Sequence, residues 1–167
     1  MAWTQTAPTL PSGSAWEQEK SVSGRANHWS LSGTLHIARL NGRQFAIKAE
    51  LTSGNGSYGT YYPPSKWTLR CDIGGGSGTE NTSFDVSKGT TTFYFVGEAG
   101  EGVNITVKVG GVGAAVAVQT ATFAAPALLG DTLYFKVSGV WKQATLYRKG
   151  GAWKNALAKF KAGGTWK

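Results

Sequence analysis

Ser30-Leu31-Ser32-Gly33-Thr34-Leu35-His36-Ile37-Ala38-Arg39-Leu40, then Asn41-Gly42, then Gln44-Phe45-Ala46-Ile47-Lys48-Ala49-Glu50-Leu51: this stretch decides the fold. In the first run Leu31, Leu35 and Ile37 fall on one side of an alternating strand. In the second, Phe45, Ile47, Ala49 and Leu51 do the same. Successive strand side chains point to opposite faces, so a period of two marks a sheet with one buried face. Asn-Gly between the runs supplies the positive φ of a tight hairpin turn. The stretch is a β-hairpin.

The same pattern continues toward the C-terminus. Ser53 to Pro64 is a loop rich in Gly, Ser and Tyr. It is followed by Lys66 to Ile73, a glycine loop at Gly74 to Gly78, and Thr82 to Val86. Thr91 to Val96, Val103 to Val109 and Ala114 to Phe123 complete the series. Short strands joined by polar turns, with no helical stretch, predict an all-β chain. We expect an immunoglobulin-like or jelly-roll β-sandwich over residues 21–125. Before it, residues 1–20 are a polar arm with two isolated tryptophans, Trp3 and Trp16. Such an arm has no core of its own, so contact with another molecule is expected to order it.

Residues 126–167 form a linker followed by a threefold repeat. Phe135-Lys136-Val137-Ser138-Gly139-Val140-Trp141-Lys142 recurs as Tyr147-Arg148-Lys149-Gly150-Gly151-Ala152-Trp153-Lys154 and as Phe160-Lys161-Ala162-Gly163-Gly164-Thr165-Trp166-Lys167. A unit this short has room for a strand, a tight turn and a return strand. The repeat predicts a small antiparallel sheet of hairpins turning at Ser138-Gly139, Gly150-Gly151 and Gly163-Gly164. An aromatic before each turn would pair with the Trp after it. A rival reading exists: Trp153, Ala156, Leu157 and Phe160 also fall on one face of a helix over Ala152 to Lys161.

Charge follows the same division. The chain of 167 residues has a formal net charge of +8. Residues 131–167 hold eight cations and one acid, so the basic character belongs almost wholly to the repeats. A cationic, aromatic surface attracts anionic polymers; equally, lysines guard the edges of small sheets. No stretch approaches membrane-spanning length, and the first residues lack the pattern of a secretion signal, so synthesis in a cytoplasm is expected.

Catalysis finds no footing in the residues. His28 and His36 have no metal-ligand spacing around them. Cys71 lies in a strand-like setting as a small core residue, and Asp72, Asp85, Glu98 and Glu101 have no reason to pair. We expect no enzyme activity, no metal and no cofactor. Binding is better supported. Tyr58, Tyr61 and Tyr62 on a Gly/Ser loop have the composition of adaptable recognition loops. Lys142, Lys154 and Lys161 are candidates for contact with anionic surfaces. Trp3, Trp16, Trp141, Trp153 and Trp166 are candidates for assembly contacts, the last three doubling as the small core of the hairpins.

The repeats at 135–142, 147–154 and 160–167 resemble those closing many bacteriophage tail-fibre, baseplate and minor tail proteins. The preceding region is similar to the β-sandwich in tail proteins of phages that infect Gram-positive bacteria. The likeness there rests on Asn41-Gly42, the Tyr61 to Trp67 stretch and Ser83-Phe84-Asp85-Val86 before a Thr-rich strand. The resemblance implies a virion structural subunit at a tail tip or in a fibre, made in the bacterial host cytoplasm. Its implied partners are other virion proteins, further copies of itself and anionic or glycan host-surface polymers, with no specific nucleic acid. A freestanding lectin-like sandwich and a head-decoration or capsid fibre protein remain alternatives.

Overall fold

A computed structural model describes residues 2–11, 14–76, 78–113, 116–127, 133–137, 140–144, 147–150, 152–155, 161–162 and 165–166. The chain divides into two compact units, Met1–Ala127 and Leu128–Lys167. The first unit contains β1 (Glu17–Arg25), β2 (Ser30–Arg39), β3 (Gln44–Gly54), β4 (Lys66–Ile73), β5 (Thr79–Asp85), β6 (Gly89–Glu98), β7 (Asn104–Gly111) and β8 (Gln119–Ala124). They form two four-stranded antiparallel sheets, ordered β1-β2-β3-β6 and β5-β4-β7-β8. The chain crosses between sheets after β3, β5 and β6, while β2–β3, β4–β5 and β7–β8 are hairpins within one sheet. That is an immunoglobulin-like connectivity, with β1 added outside β2.

The alternation that marks the opening hairpin is realised side by side. Leu31, Leu35 and Ile37 of β2 and Phe45, Ile47, Ala49 and Leu51 of β3 are buried. Across the sandwich Trp67, Leu69 and Cys71 of β4 face Ile105, Val107 and Val109 of β7 on the same inner layer. Trp67 is the hub: its ring lies 5.8 Å from Trp29 and 6.0 Å from Phe93, both edge-on. Edge-to-face packing of large rings adds stability beyond the area they bury.

Two expectations about the arm are corrected. Residues 17–20 belong to β1, a strand that alternation does not reveal because Val22 is its one buried side chain. The arm also has a core to lean on. Trp3 is 3% exposed and packs 5.4 Å from the ring of Phe95. Thr4 pairs with Tyr94, N–H to carbonyl in both directions at 2.9 and 2.7 Å. Trp16 lies 6.1 Å from Tyr94 with the Lys48 ammonium 5.8 Å over its ring. β6 ends its sheet, so its outward amides are free to take a segment of the same chain.

Among the described residues of the second unit are three hairpins: β9 (Leu133–Val137) with β10 (Val140–Ala144), β11 (Tyr147–Gly150) with β12 (Ala152–Asn155), and β13 (Lys161–Ala162) with β14 (Thr165–Trp166). Among the described residues each hairpin pairs with itself alone, in place of one continuous sheet. Ala152–Asn155 is strand, against the helical reading. The turn residues Ser138, Gly139, Gly151, Gly163 and Gly164, and Phe160, lie outside the described residues. The register also differs from expectation: Trp141 stands opposite Lys136, Trp153 opposite Lys149 and Trp166 opposite Lys161. Two residues separate the innermost pairs of the first and third hairpins, Val137–Val140 and Ala162–Thr165, so the cation after the aromatic meets the Trp; in the second, Gly150 pairs with Ala152 and the register moves by one, to Lys149.

One polar group sits deep in the first unit. Arg39, at the end of β2, is 1% exposed, and among the described residues no carboxylate reaches ion-pair distance of it. Its guanidinium donates instead to backbone carbonyls. Nη1 reaches Arg43 and Ala99, each at 2.9 Å. Nε reaches Pro126 at 3.1 Å and Ala127 at 3.3 Å, and Nη2 also donates to Pro126. Ser14 in turn donates its hydroxyl proton to the Arg39 carbonyl. Burial lowers the Arg39 pKa from its ordinary value, with Glu101 and Glu17 opposing that shift at longer range. Replacing Arg39 by Leu strips these carbonyls of their donor in a dry setting, and should cost about 3 kcal/mol in urea unfolding. Arg39→Lys, which keeps the charge without the fork, should fall between the two.

On the outer face of the second sheet Asp72 gathers three donors. Arg70 Nε lies 2.7 Å from its Oδ1, the Gly78 N–H 2.8 Å from the same oxygen, and Lys108 Nζ 3.0 Å from Oδ2. The hydrogen bonds from Arg70 and Lys108 hold its carboxyl down at about 2, against a smaller opposing effect of burial. A depressed carboxyl stabilises the fold above its unfolded pKa of about 4 and loses that contribution as pH falls through its folded value. Asp72→Asn should therefore cost about 1 kcal/mol at neutral pH, the solvent-exposed partners damping the full effect. Acid titration of both proteins should show the difference closing as pH falls from about 4 toward 2.

Candidate functional site

At the end of the sandwich opposite Arg39 three connections meet: the β1–β2 turn, the β3–β4 loop and the β7–β8 turn. The long β3–β4 loop is held by backbone bonds to the β1–β2 turn. Ser57 N–H donates to Ala26 O at 2.8 Å, Tyr58 N–H to Asn27 O at 2.9 Å and Tyr62 N–H to His28 O at 2.9 Å. Arg25 Nη2 adds a bond to Gly56 O at 3.1 Å. This contact requires glycine at 56, because a Cβ there would lie 2.4 Å from the Asn27 carbonyl. Gly59 then reverses the chain at φ +72, with its N–H on Gly56 O.

The three tyrosines of this loop take different places. The Tyr61 hydroxyl lies 2.9 Å from that of Ser53, which accepts the buried Trp29 N–H, so Tyr61 roots the loop in the core. Tyr58 and Tyr62 are 66% and 69% exposed. His28 stands between them, its ring edge-on to Tyr58 at 5.3 Å and to Tyr62 at 5.1 Å. Its Nδ1 lies 2.7 Å from the Thr60 hydroxyl, which sets the plane of the imidazole. Beside this cluster is a recess of about 340 Å³ whose lining includes Asn27, His28, Trp29, Tyr62, Pro63 and Gly113.

The β7–β8 turn completes the same end. Val112 donates its N–H to Lys66 O at 2.9 Å, which ties that turn to the start of β4. Val112 and Val118 are 45% and 57% exposed. With Tyr58 and Tyr62 they are the large apolar side chains most exposed among the described residues, and all four lie at one end. We call this end the aromatic rim. His28, Val112 and Val118 escape a reading of the chain because nothing local marks them; the β1–β2 turn is visible only once β1 is known.

The rim offers flat ring faces, apolar edges and the amide of Asn27, with no carboxylate in its lining. Such a surface can stack on sugar rings or other flat, weakly polar groups. Elsewhere Cys71 is buried beside Asp72, and burial pushes its thiol up to about 12, far from a nucleophile. Among the described residues no three His, Cys, Asp or Glu side chains converge. His36 lies on the outer face of the first sheet, 3.8 Å from Glu50. Lys142, Lys154 and Lys161, with Trp141, Trp153 and Trp166, belong to the second unit. There Lys142 and Lys154 follow a Trp, while Lys161 stands opposite one.

Gly56→Ala should break the contact between the two loops at a cost of about 2 kcal/mol while leaving the strands paired. Amide exchange should then quicken at Ser57, Tyr58 and Tyr62 and stay slow in β3 and β7; unchanged exchange at those three amides would show that the loops are held by other means. Compared with known families, curated proteins and solved structures, the chain matches none.

Proposed function

We propose that this chain is a non-enzymatic structural protein of a phage tail, at the tip or in a fibre, and that the aromatic rim makes contact with the host surface. The observation that carries the attachment role is the rim itself: exposed apolar side chains gathered at one end on loops held by backbone hydrogen bonds. Scattered surface apolar residues need no explanation, but a cluster on preorganised loops does. Immunoglobulin-like sandwiches commonly carry recognition on the loops of one end; that support is by analogy of fold. The tail assignment rests on the threefold aromatic, cation and Trp-Lys repeat.

A neutral or anionic cell-wall glycan fits both units. Tyr58, His28 and Tyr62 supply stacking surfaces, and the repeats supply the positive charge that draws an anionic polymer. A freestanding glycan-binding sandwich would use the same rim, and antibody labelling of virions separates that reading from the first. Binding of the full chain to purified Gram-positive wall polysaccharide should fall at least about tenfold when Tyr58 and Tyr62 are both changed to Ala. Changing Lys142, Lys154 and Lys161 to Gln should lower affinity and flatten its salt dependence. Wild-type affinity in the tyrosine variant would remove the rim from the account.

A further inference from the structure

The two outer edges of the sandwich are finished differently. On one side β1 and β8 approach each other, and Gln18 Nε2 donates to Ala124 O at 2.9 Å across the gap. On the other side Phe84 of β5 packs 4.8 Å from Phe93 of β6, and the β6 edge takes the arm. Among the described residues that edge is paired at Tyr94 alone. In an antiparallel ladder every second residue presents its amide and carbonyl outward, so Thr92 and Val96 offer the same groups to an incoming strand. Beyond Ala2 the edge continues as a recess of about 280 Å³ beside Gln44, Val96, Gly97 and Glu98.

The arm that sits there is lightly attached. Up to Pro11 its contacts with the sheet are one pair of backbone bonds at Thr4 and the Trp3 ring, whose buried Nε1 has no hydrogen-bond partner among the described residues; Ser14 and Trp16 are held separately, on the Arg39 carbonyl and beside Tyr94 and Lys48. From Thr4 to Ala7 the chain is exposed, and Pro8 and Pro11 hold the connection extended. At the base of the arm the β1–β2 ladder shifts register between Glu17 and Lys20, and Gln18 sits at φ +52. A left-handed conformation is strained for a residue with a side chain, and here it marks where the arm ends and the paired strand begins.

We propose that residues 2–11 are an exchangeable arm, and that Trp3 and Thr4 dock on the β6 edge of a second copy of this chain. The arm and its acceptor edge are present in every copy, so exchange forms the same contacts in trans as in cis. The balance is then set by concentration and by strain in the connection. Reciprocal exchange closes a dimer, and an arm passed onward from copy to copy builds a chain of subunits. The proposal is independent of what the rim binds.

Two preparations of the full chain test it, one carrying a donor dye at Gln5→Cys and the other an acceptor at Lys88→Cys. Cys71, buried with its thiol pushed up to about 12, stays unlabelled. On mixing, energy transfer between copies should develop and grow with concentration, alongside a dimer in sedimentation. Removing residues 7–10 shortens the connection and should raise the dimer fraction by about tenfold at a given concentration. Trp3→Ala should abolish the transfer. Thr4→Pro, which deletes the N–H given to Tyr94 without touching the core, should do the same if Trp3→Ala fails to fold. Parent and shortened chains that both stay monomeric without transfer at hundreds of micromolar, or transfer that survives Thr4→Pro, would overturn the proposal.

Discussion

A single guanidinium closes one end of the sandwich. Arg39 has no carboxylate partner among the described residues, so its charge is met by carbonyl dipoles from three places distant in sequence. Arg43 comes from the β2–β3 turn, Ala99 from the β6–β7 connection and Pro126 from the segment leaving β8. A buried charge is tolerated only when its hydrogen-bonding capacity is used. Those segments must therefore converge there, and the chain's exit toward the repeats is pinned as a consequence. The planar fork matters as much as the charge, since it serves carbonyls in several directions at once.

The opposite end obeys a different constraint. Two loops approach there so closely that one position must be glycine, and a ladder of backbone bonds, with one from the Arg25 guanidinium to Gly56, fixes them. Tyr61 is spent as an anchor, through Ser53 to Trp29, and this leaves Tyr58 and Tyr62 outside. Both exposed rings rest edge-on against His28. Between the ends, the arm lies along β6 with Trp3 buried and Thr4 paired to Tyr94.

The two units also differ in how they are held. The sandwich buries tryptophans and phenylalanines between two sheets, whereas each hairpin of the repeats is a two-stranded ladder. Isolated hairpins of that size are marginal in water. In the first and third hairpins a two-residue closure sets which positions stand opposite, while the second is paired one step differently, so the repeat alone does not fix a common register.

By itself the sequence determined the sheet class and the core. Alternation in β2 and β3 named the inward residues correctly because burial on one face imposes a period of two. Glycine pairs marked the hairpin repeats for a similarly local reason. The tertiary structure alone decided three things. It made β1 a strand, since its exposed residues carry no pattern and pairing with β2 defines it. It turned the arm's Trp3 inward, because the free edge of β6 and the space beside Phe95 exist only after the sheets pack. It divided three neighbouring tyrosines into one anchor and two exposed rings, and it brought His28, Val112 and Val118 to the same end. These groups lie on separate loops far apart in sequence, and local patterns hold no information about contacts that a distant crossing creates.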